Sequence, residues 1–280
     1  MSLVFAHWSF DPFLVIVAAV ALVHERGLRR LAKRSTPERV RLRRNRSWFF
    51  YGGLAVLVLA VCSPIDYWSD SYFYIHMIQH LLLMFAAPAP IVAGAPWTPL
   101  EHGIPASVRR PVMRFLLLGR PTAPLRSVVR TLWQPWVAVI GFQAVVVFWH
   151  LPGPFDLAEE NQTVHIWLMH GSFFLFGLAF WLQLIPSRPF VQRLRPPAQM
   201  AAIFSTACVF WLLAMALSIF SKGSWYPWYQ LHEGSGLTPF ADQQIGAGIM
   251  WTCGIFWAIP AMVAAVRRLI EESGDGVTHL

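Results

Sequence analysis

The sequence predicts an all-α polytopic membrane protein with seven transmembrane helices. Of its 280 residues, 56% are hydrophobic and 15% aromatic, and only 13% are charged, whereas a typical soluble domain has about 25% charged residues. The charged residues are segregated, and the uncharged runs between them are long enough to cross a bilayer as helices. The short segments of alternating hydrophobicity that are typical of a β-barrel do not occur.

We place the seven spans in a single membrane domain, residues 1–280. Their predicted ranges are 8–24, 48–63, 72–94, 134–150, 163–185, 199–220 and 243–266. The N-terminus has no basic segment before its first apolar run, so we expect that run to be retained as a span rather than cleaved as a signal peptide. Pro88 and Pro90 predict a kink or a break near the inner end of the third span.

The basic residues predict the orientation of the spans. Ten lie in 25–47, six in 95–133, three in 186–198 and two in the C-terminal tail, which are alternate connections, and only Lys222 lies on the other side. Because Lys and Arg concentrate in cytoplasmic loops, we expect the N-terminus outside and the C-terminus inside. The net charge of +8 is therefore attributed to topology and not to nucleic-acid binding. Arg and apolar residues are mixed within 95–133, which predicts either a surface-lying amphipathic segment or a solvated loop.

Histidines are concentrated near the predicted outer ends of the spans. Seven of the ten fall there, and five of those lie at similar depth on three helices. Ionisable groups within spans are costly and by default suggest a functional site. These five are the candidate metal ligands His76, His80, His150, His165 and His170.

Helical spacing limits how these histidines can act together. His76 and His80 are four residues apart and share a helix face. His165 and His170 are five apart, which separates them by about 140° on an α-helix. We therefore expect that both cannot point at one centre, unless the helix is distorted or there are two centres.

Ligand chemistry favours copper at this cluster. Imidazole binds copper, zinc, iron and nickel, and thioether favours Cu(I). Two further groups of residues could support the site. Four methionines within predicted spans are more simply explained as packing residues: Met77, Met84, Met169 and Met250. Three polar residues could accept hydrogen bonds from imidazole N–H groups and orient them: Asp242, Gln243 and Gln244.

Other classes of membrane protein fit the sequence less well. A retinal protein needs a lysine in its last span, where there is none, and a zinc metalloprotease needs H-E-x-x-H, where this chain has Met77 in place of Glu. A haem b protein with histidines from different helices remains open, as does a metal-free scaffold in which histidines bridge helices. The roles of His232, Cys62 and Cys253 also remain open, since no C-x-x-C occurs.

Four short segments resemble a known family. These segments are H-M-I-Q-H-L-L-L-M-F-A-A-P at 76–88, F-W-H-L-P at 148–152, V-H-I-W-L-M-H at 164–170 and D-Q-Q-I-G-A-G-I-M-W at 242–251. In this order they resemble the CtaG-type cytochrome c oxidase assembly proteins, which are seven-span bacterial membrane proteins linked to caa-type oxidases.

The resemblance implies a non-enzymatic assembly factor in the bacterial cytoplasmic (inner) membrane that assists formation of a copper centre. Its partners would be cytochrome c oxidase subunits or a copper donor protein, with membrane lipid around it and no nucleic acid. The matching positions are His76, His80, His150, His165, His170, Asp242 and Gln243. A haem b-binding redox protein and a metal-free assembly scaffold are the alternatives.

Overall fold

The computed structural model describes residues 7–9, 12–231 and 236–277, and this part of the chain is almost entirely helical. His232 lies outside the described residues. The α-helices are α1 Pro12–Ala32, α2 Pro37–Cys62, α3 Pro64–Ser69, α4 Phe73–Leu81, α5 Pro88–Gly94, α6 Trp97–Gly103, α7 Ala106–Leu118, α8 Ala123–Leu132, α9 Pro135–Trp149, α10 Pro152–Glu160, α11 Gly171–Leu184, α12 Pro196–Ser218, α13 Pro227–Leu231 and α14 Pro239–Val277. Two π-helical segments, Leu82–Ala86 and Val164–His170, interrupt them.

Several of these helices are long and apolar enough to cross a membrane, as predicted. Five qualify in the described part of the chain: Pro37–Cys62, Phe73–Gly94, Val164–Leu184, Pro196–Ser218 and Pro239–Ser273. A sixth would be formed by α8 and α9 together, although the two are bent by 83° at their junction. The predicted span 134–150 corresponds to α9 and the predicted span 8–24 overlaps α1. The count of seven and the orientation of the termini stay predictions.

The basic segment 25–47 is helical over most of its length. The helix α1 continues to Ala32, and α2 begins at Pro37, so only a short turn separates the two helices. Arg and Lys are good helix formers, which explains why both helices extend into the charged region. The segment predicted as a basic connection is therefore two helix ends.

The third span is interrupted close to the prolines that predict a kink or a break, although Phe73–Gly94 remains one candidate span. The α4 helix passes into the π-helical segment Leu82–Ala86, and α5 then begins at Pro88. Proline has no N–H to continue the helix and is tolerated at the first helical position. His76 and His80 both lie on the regular α-helix α4, which precedes the interruption.

The residues of 95–133 form short helices instead of an extended loop. Both α7 and α8 have no buried residues, and Leu118, Phe115 and Val128 are among their exposed apolar side chains. This arrangement fits the predicted surface-lying amphipathic segment.

The long helix α14 packs along α12 and α4. Close approach to α4 occurs at Gly246, where an added Cβ would lie 2.6 Å from the ring of Phe73 and 3.1 Å from Met77. Gly248 faces open space, so only the first of these two glycines is required for packing. The contact fixes the start of α4, the helix that carries His76 and His80.

Candidate metal centre

Five buried histidines from three parts of the chain meet at one end of the helices. His76 and His80 come from α4, His150 ends α9, and His165 and His170 belong to the π-helical segment before α11. The rings of His76 and His165 stack with centroids 5.0 Å apart, and those of His80 and His150 are 5.6 Å apart. The structure therefore brings all five predicted ligand residues together.

The π-helix resolves the geometric conflict between His165 and His170. A π-helix closes its hydrogen bonds between residues five apart, so such residues face the same side. The amide of Gly171 donates to the carbonyl of Ile166, which is this pattern. The Nε2 atoms of His165 and His170 consequently lie only 2.9 Å apart. The segment is therefore the distorted helix that the prediction named as the condition for both histidines to point at one centre.

Three of the histidines could share one ion as they stand. His76, His165 and His170 each offer a nitrogen within 4.8 Å of the other two. His80 lies beside this group, with its ring centroid 4.2 Å from that of His76. The group is thus extended by His80, which contacts His76, and by His150, which lies beside His80.

Several imidazole nitrogens are buried without a hydrogen-bond partner. In the cluster these are Nε2 of His76, both ring nitrogens of His80, and Nε2 of His150, and one further such nitrogen, Nε2 of His24 on α1, lies outside it. A buried polar atom that makes no hydrogen bond costs about 1–3 kcal/mol. Such atoms are normally satisfied by protein, water or an ion, so the nitrogens in the cluster fit a metal ion that they would ligate.

Hydrogen bonds at the other ring nitrogen set two tautomers. The Nδ1 of His150 lies 2.6 Å from the carbonyl of Val146, which can only accept, so Nδ1 carries the proton. The Tyr229 hydroxyl donates to the carbonyl of Ser69 and therefore accepts from Nδ1 of His76. In both neutral imidazoles the lone pair is then on Nε2, as a metal ligand requires.

Glu159 on α10 joins the cluster and was not among the predicted site residues. Its side chain is 1% exposed, and Oε1 lies 3.5 Å from Nδ1 of both His76 and His165. Neither carboxyl oxygen makes a hydrogen bond. Burial raises the pKa of Glu159 well above its usual range, and the nearby carboxylates of Asp70 and Asp156 raise it further.

Sequence reasoning missed Glu159 because it lies in a connection between predicted spans, where acidic residues are ordinary. One signal was available in the sequence, since Glu159 lies only six residues before His165, in the short connection between two predicted spans. A carboxylate there is within reach of the start of the next helix.

The predicted orienting residues hold helices together instead of contacting imidazoles. Asp242 accepts the backbone amides of Phe73 and Tyr74 at 2.8 and 2.9 Å and so caps the start of α4. Gln243 accepts the amide of Trp225 and donates to the carbonyl of Leu217. The exposed Gln244 donates to the carbonyl of Ser218 at 3.4 Å. The hydrogen bonds of all three residues thus hold backbone segments together. This corrects the prediction that they orient imidazole N–H groups.

The four methionines pack in the hydrophobic core. Each of them is at most 1% exposed. Their packing agrees with the simpler of the two roles expected from the sequence. Cys62 is likewise buried.

Aromatic rings enclose the cluster. Phe155 lies 5.1 Å from His76 and Phe173 lies 4.5 Å from His80, measured between ring centroids. Apolar walls exclude water and lower the local dielectric constant, which strengthens electrostatic interactions inside. A bound cation would therefore depend on the chain's own ligands.

Comparison with known proteins agrees with the family suggested by the four motifs. The family model of the cytochrome c oxidase caa3 assembly factor matches residues 22–272. The chain belongs to this assembly-factor family. The matched region contains all five clustered histidines and Glu159.

Two mycobacterial proteins to which the chain is similar are named as uncharacterized proteins. They are Mb0105 of Mycobacterium bovis and MT0111 of Mycobacterium tuberculosis, each 26% identical over 270 residues. The alignment covers 95% of this chain and 40% of each relative, so the chain spans about two fifths of the length of the curated relatives it matches. No solved structure matches the chain.

Proposed function

We propose that this caa3-type oxidase assembly factor handles copper as its cargo, holding it in the five-histidine cluster before it passes to an oxidase subunit. The observation that carries the proposal is the concentration in this cluster of four buried imidazole nitrogens without hydrogen-bond partners, on His76, His80 and His150. Their neighbours His165 and His170 add two nitrogens that already face each other.

Copper is the metal that this ligand set and this family favour together. Among first-row divalent ions, Cu²⁺ has the highest affinity for a given nitrogen-rich site. The client of the family is a haem–copper oxidase, which requires copper for its assembly. Transfer needs exchangeable ligands, and a cluster of five imidazoles offers more nitrogens than four-coordinate binding uses.

We place this activity in the bacterial cytoplasmic membrane, with the cluster towards the outer face. The client would approach laterally within the bilayer, as an oxidase subunit or, on the supply side, a copper donor protein. The chain's part is to bind, orient and release the ion, so no enzymatic step is proposed.

A haem b protein using the same histidines is the second candidate. The rings of Phe155 and Phe173 pack directly on His76 and His80, and a porphyrin would have to displace them. The unpartnered nitrogens suit a single ion without such repacking. For these reasons we favour copper.

Element analysis of the full-length protein, purified in micelles, tests the proposal. The wild type should retain copper after loading and dialysis, and the double variant His76→Ala/His80→Ala should lose it. His102→Ala is the matched control, since His102 bonds to the carbonyl of Thr98 on α6 and belongs to no part of the cluster. Thermal unfolding of each variant shows that it remains folded.

Three results would contradict the proposal. Unchanged copper content in the double variant would remove the site assignment. A reduced-minus-oxidised spectrum with a b-type α band, lost with the same substitutions, would favour haem. No metal above background in the wild type, with oxidase assembly still impaired on deletion, would identify a metal-free scaffold.

A further inference from the structure

A second group of side chains that could bind a metal ion lies between the histidine cluster and the protein surface. We call the surface end of this group, at Asp70, the mouth of the cluster. Asp70, Glu159 and His165 each offer a ligand atom within 4.8 Å of the other two. Asp70 follows α3 and is exposed, whereas the side chains of His165 and Glu159 are 11% and 1% exposed. The group therefore leads from the surface to buried histidines.

We infer that Asp70 and Glu159 form an entrance site, which takes up a divalent cation and passes it through His165 to His76 and His170. This inference rests on the proposed function, because the ion that enters is the cargo of the histidine cluster. It adds the route by which copper enters and the oxidation state in which it enters, and the histidine cluster alone defines neither.

His165 links the two groups through its two ring nitrogens. Its Nδ1 lies 3.5 Å from Oε1 of Glu159, and its Nε2 lies 2.9 Å from Nε2 of His170. One nitrogen thus faces the entrance and the other faces the cluster. A neutral imidazole has a single lone pair, so it serves one group at a time. This arrangement suits transfer of one ion better than storage of two.

Glu159 allows the ion to change ligands in steps. Its Oε1 lies 3.5 Å from Nδ1 of His165, the nitrogen that faces the entrance, and at the same distance from the protonated Nδ1 of His76, whose Nε2 is the ligating nitrogen. Both of its carboxyl oxygens lack hydrogen-bond partners. An unpartnered carboxyl group in so buried a position costs free energy, and a cation passing between entrance and cluster would satisfy it.

The ligand atoms at the entrance favour a divalent ion over Cu(I). Carboxylate oxygen is a hard ligand, whereas Cu(I) prefers thiolate and thioether. The thioethers of Met77 and Met169 are packed in the hydrophobic core. We therefore assign the incoming copper as Cu²⁺.

The charge around the mouth also favours cations. The carboxyl groups of Asp70 and Asp156 are the neighbours whose charges act on Glu159. Asp156 is close enough to α13 to accept the amide of Trp228 at 3.4 Å. Clefts lined by one sign of charge raise association rates by about 10–1,000-fold at low ionic strength.

Stopped-flow uptake of Cu²⁺ by the full-length protein in nanodiscs tests the entrance, with quenching of tryptophan fluorescence as the signal. At low ionic strength, Asp70→Asn should slow uptake about five- to tenfold and leave the final copper content unchanged. Glu159→Gln should both slow uptake and weaken retention. Glu160→Gln is the matched control, because Glu160 is the adjacent, exposed acid of the same helix.

The outcomes separate this inference from the proposed function. Equal rates for Asp70→Asn and Glu160→Gln would overturn the entrance site, even if His76→Ala abolished retention. Faster loading with Cu(I) under reducing conditions than with Cu²⁺ would overturn the divalent assignment. Failure of the wild type to bind copper in either form would instead overturn the proposed function.

Discussion

The imidazoles of His165 and His170 hold their Nε2 atoms 2.9 Å apart although five residues separate them in the chain. Metal–nitrogen bonds of about 2.0–2.1 Å place two imidazole nitrogens on one ion about 3 Å apart. The π-helical segment Val164–His170 thus sets a ligand pair at nearly its bound separation. Single π-helical turns within helices are often found at functional sites.

The first prediction concerns this pair. His165→Ala and His170→Ala should each lower copper affinity at least about 100-fold, and the double variant should lose little more. When two residues ligate the same ion, the losses of binding free energy caused by substituting them do not add. Competition with a copper-chelating dye measures the affinities, with His102→Ala as control. Fully additive losses would show that the two histidines bind separate ions.

The second prediction concerns the hydroxyl that orients His76. Tyr229→Phe removes the acceptor at 2.9 Å from Nδ1 and should cost about 10–100-fold in copper affinity, as is typical for partners of metal-bound histidines. Tyr226→Phe is the matched control, because that hydroxyl donates to the backbone carbonyl of His150 and not to an imidazole. Equal effects of the two variants would remove the orienting role of Tyr229.

The third prediction separates stability from metal binding at Asp242. Asp242→Ala removes the cap on the amides of Phe73 and Tyr74 and should cost about 0.5–2 kcal/mol of stability. Thermal unfolding should show a Tm lowered by a few degrees, with copper content per folded protein retained. The neighbouring Gln244→Ala should change neither. A loss of copper in folded Asp242→Ala would restore a direct role at the cluster.

The fourth prediction concerns the methionines nearest the histidines. Met77→Leu and Met84→Leu conserve volume and should each cost less than about 1.5 kcal/mol in stability. Copper affinity should remain within about twofold, because both side chains pack in the core. Chemical denaturation and dye competition give the two quantities. A selective loss of Cu(I) binding would instead identify a thioether ligand.

Residue pattern was enough to predict the class of fold and most of the candidate site. Five of the seven predicted spans correspond to helices that are long enough to cross a membrane, and the predicted kink or break at Pro88 and Pro90 lies next to the first π-helical segment. The five histidines were identified from their common depth, because burial of ionisable groups is costly and therefore informative. Asp242 was singled out for the same reason but assigned the wrong partner.

The sequence by itself determined which residues lie in apolar helices, since hydropathy and proline act locally along the chain. Only the tertiary structure decided which nitrogens meet. On a regular α-helix the side chains of His165 and His170 would point in different directions. The π-helical hydrogen bonds between residues five apart bring the two side chains to the same side of the helix. Glu159 acquires its place through the packing of α10 against the π-helical segment. Contacts between distant residues depend on how helices pack, and one local change in helical pitch redirects every side chain beyond it.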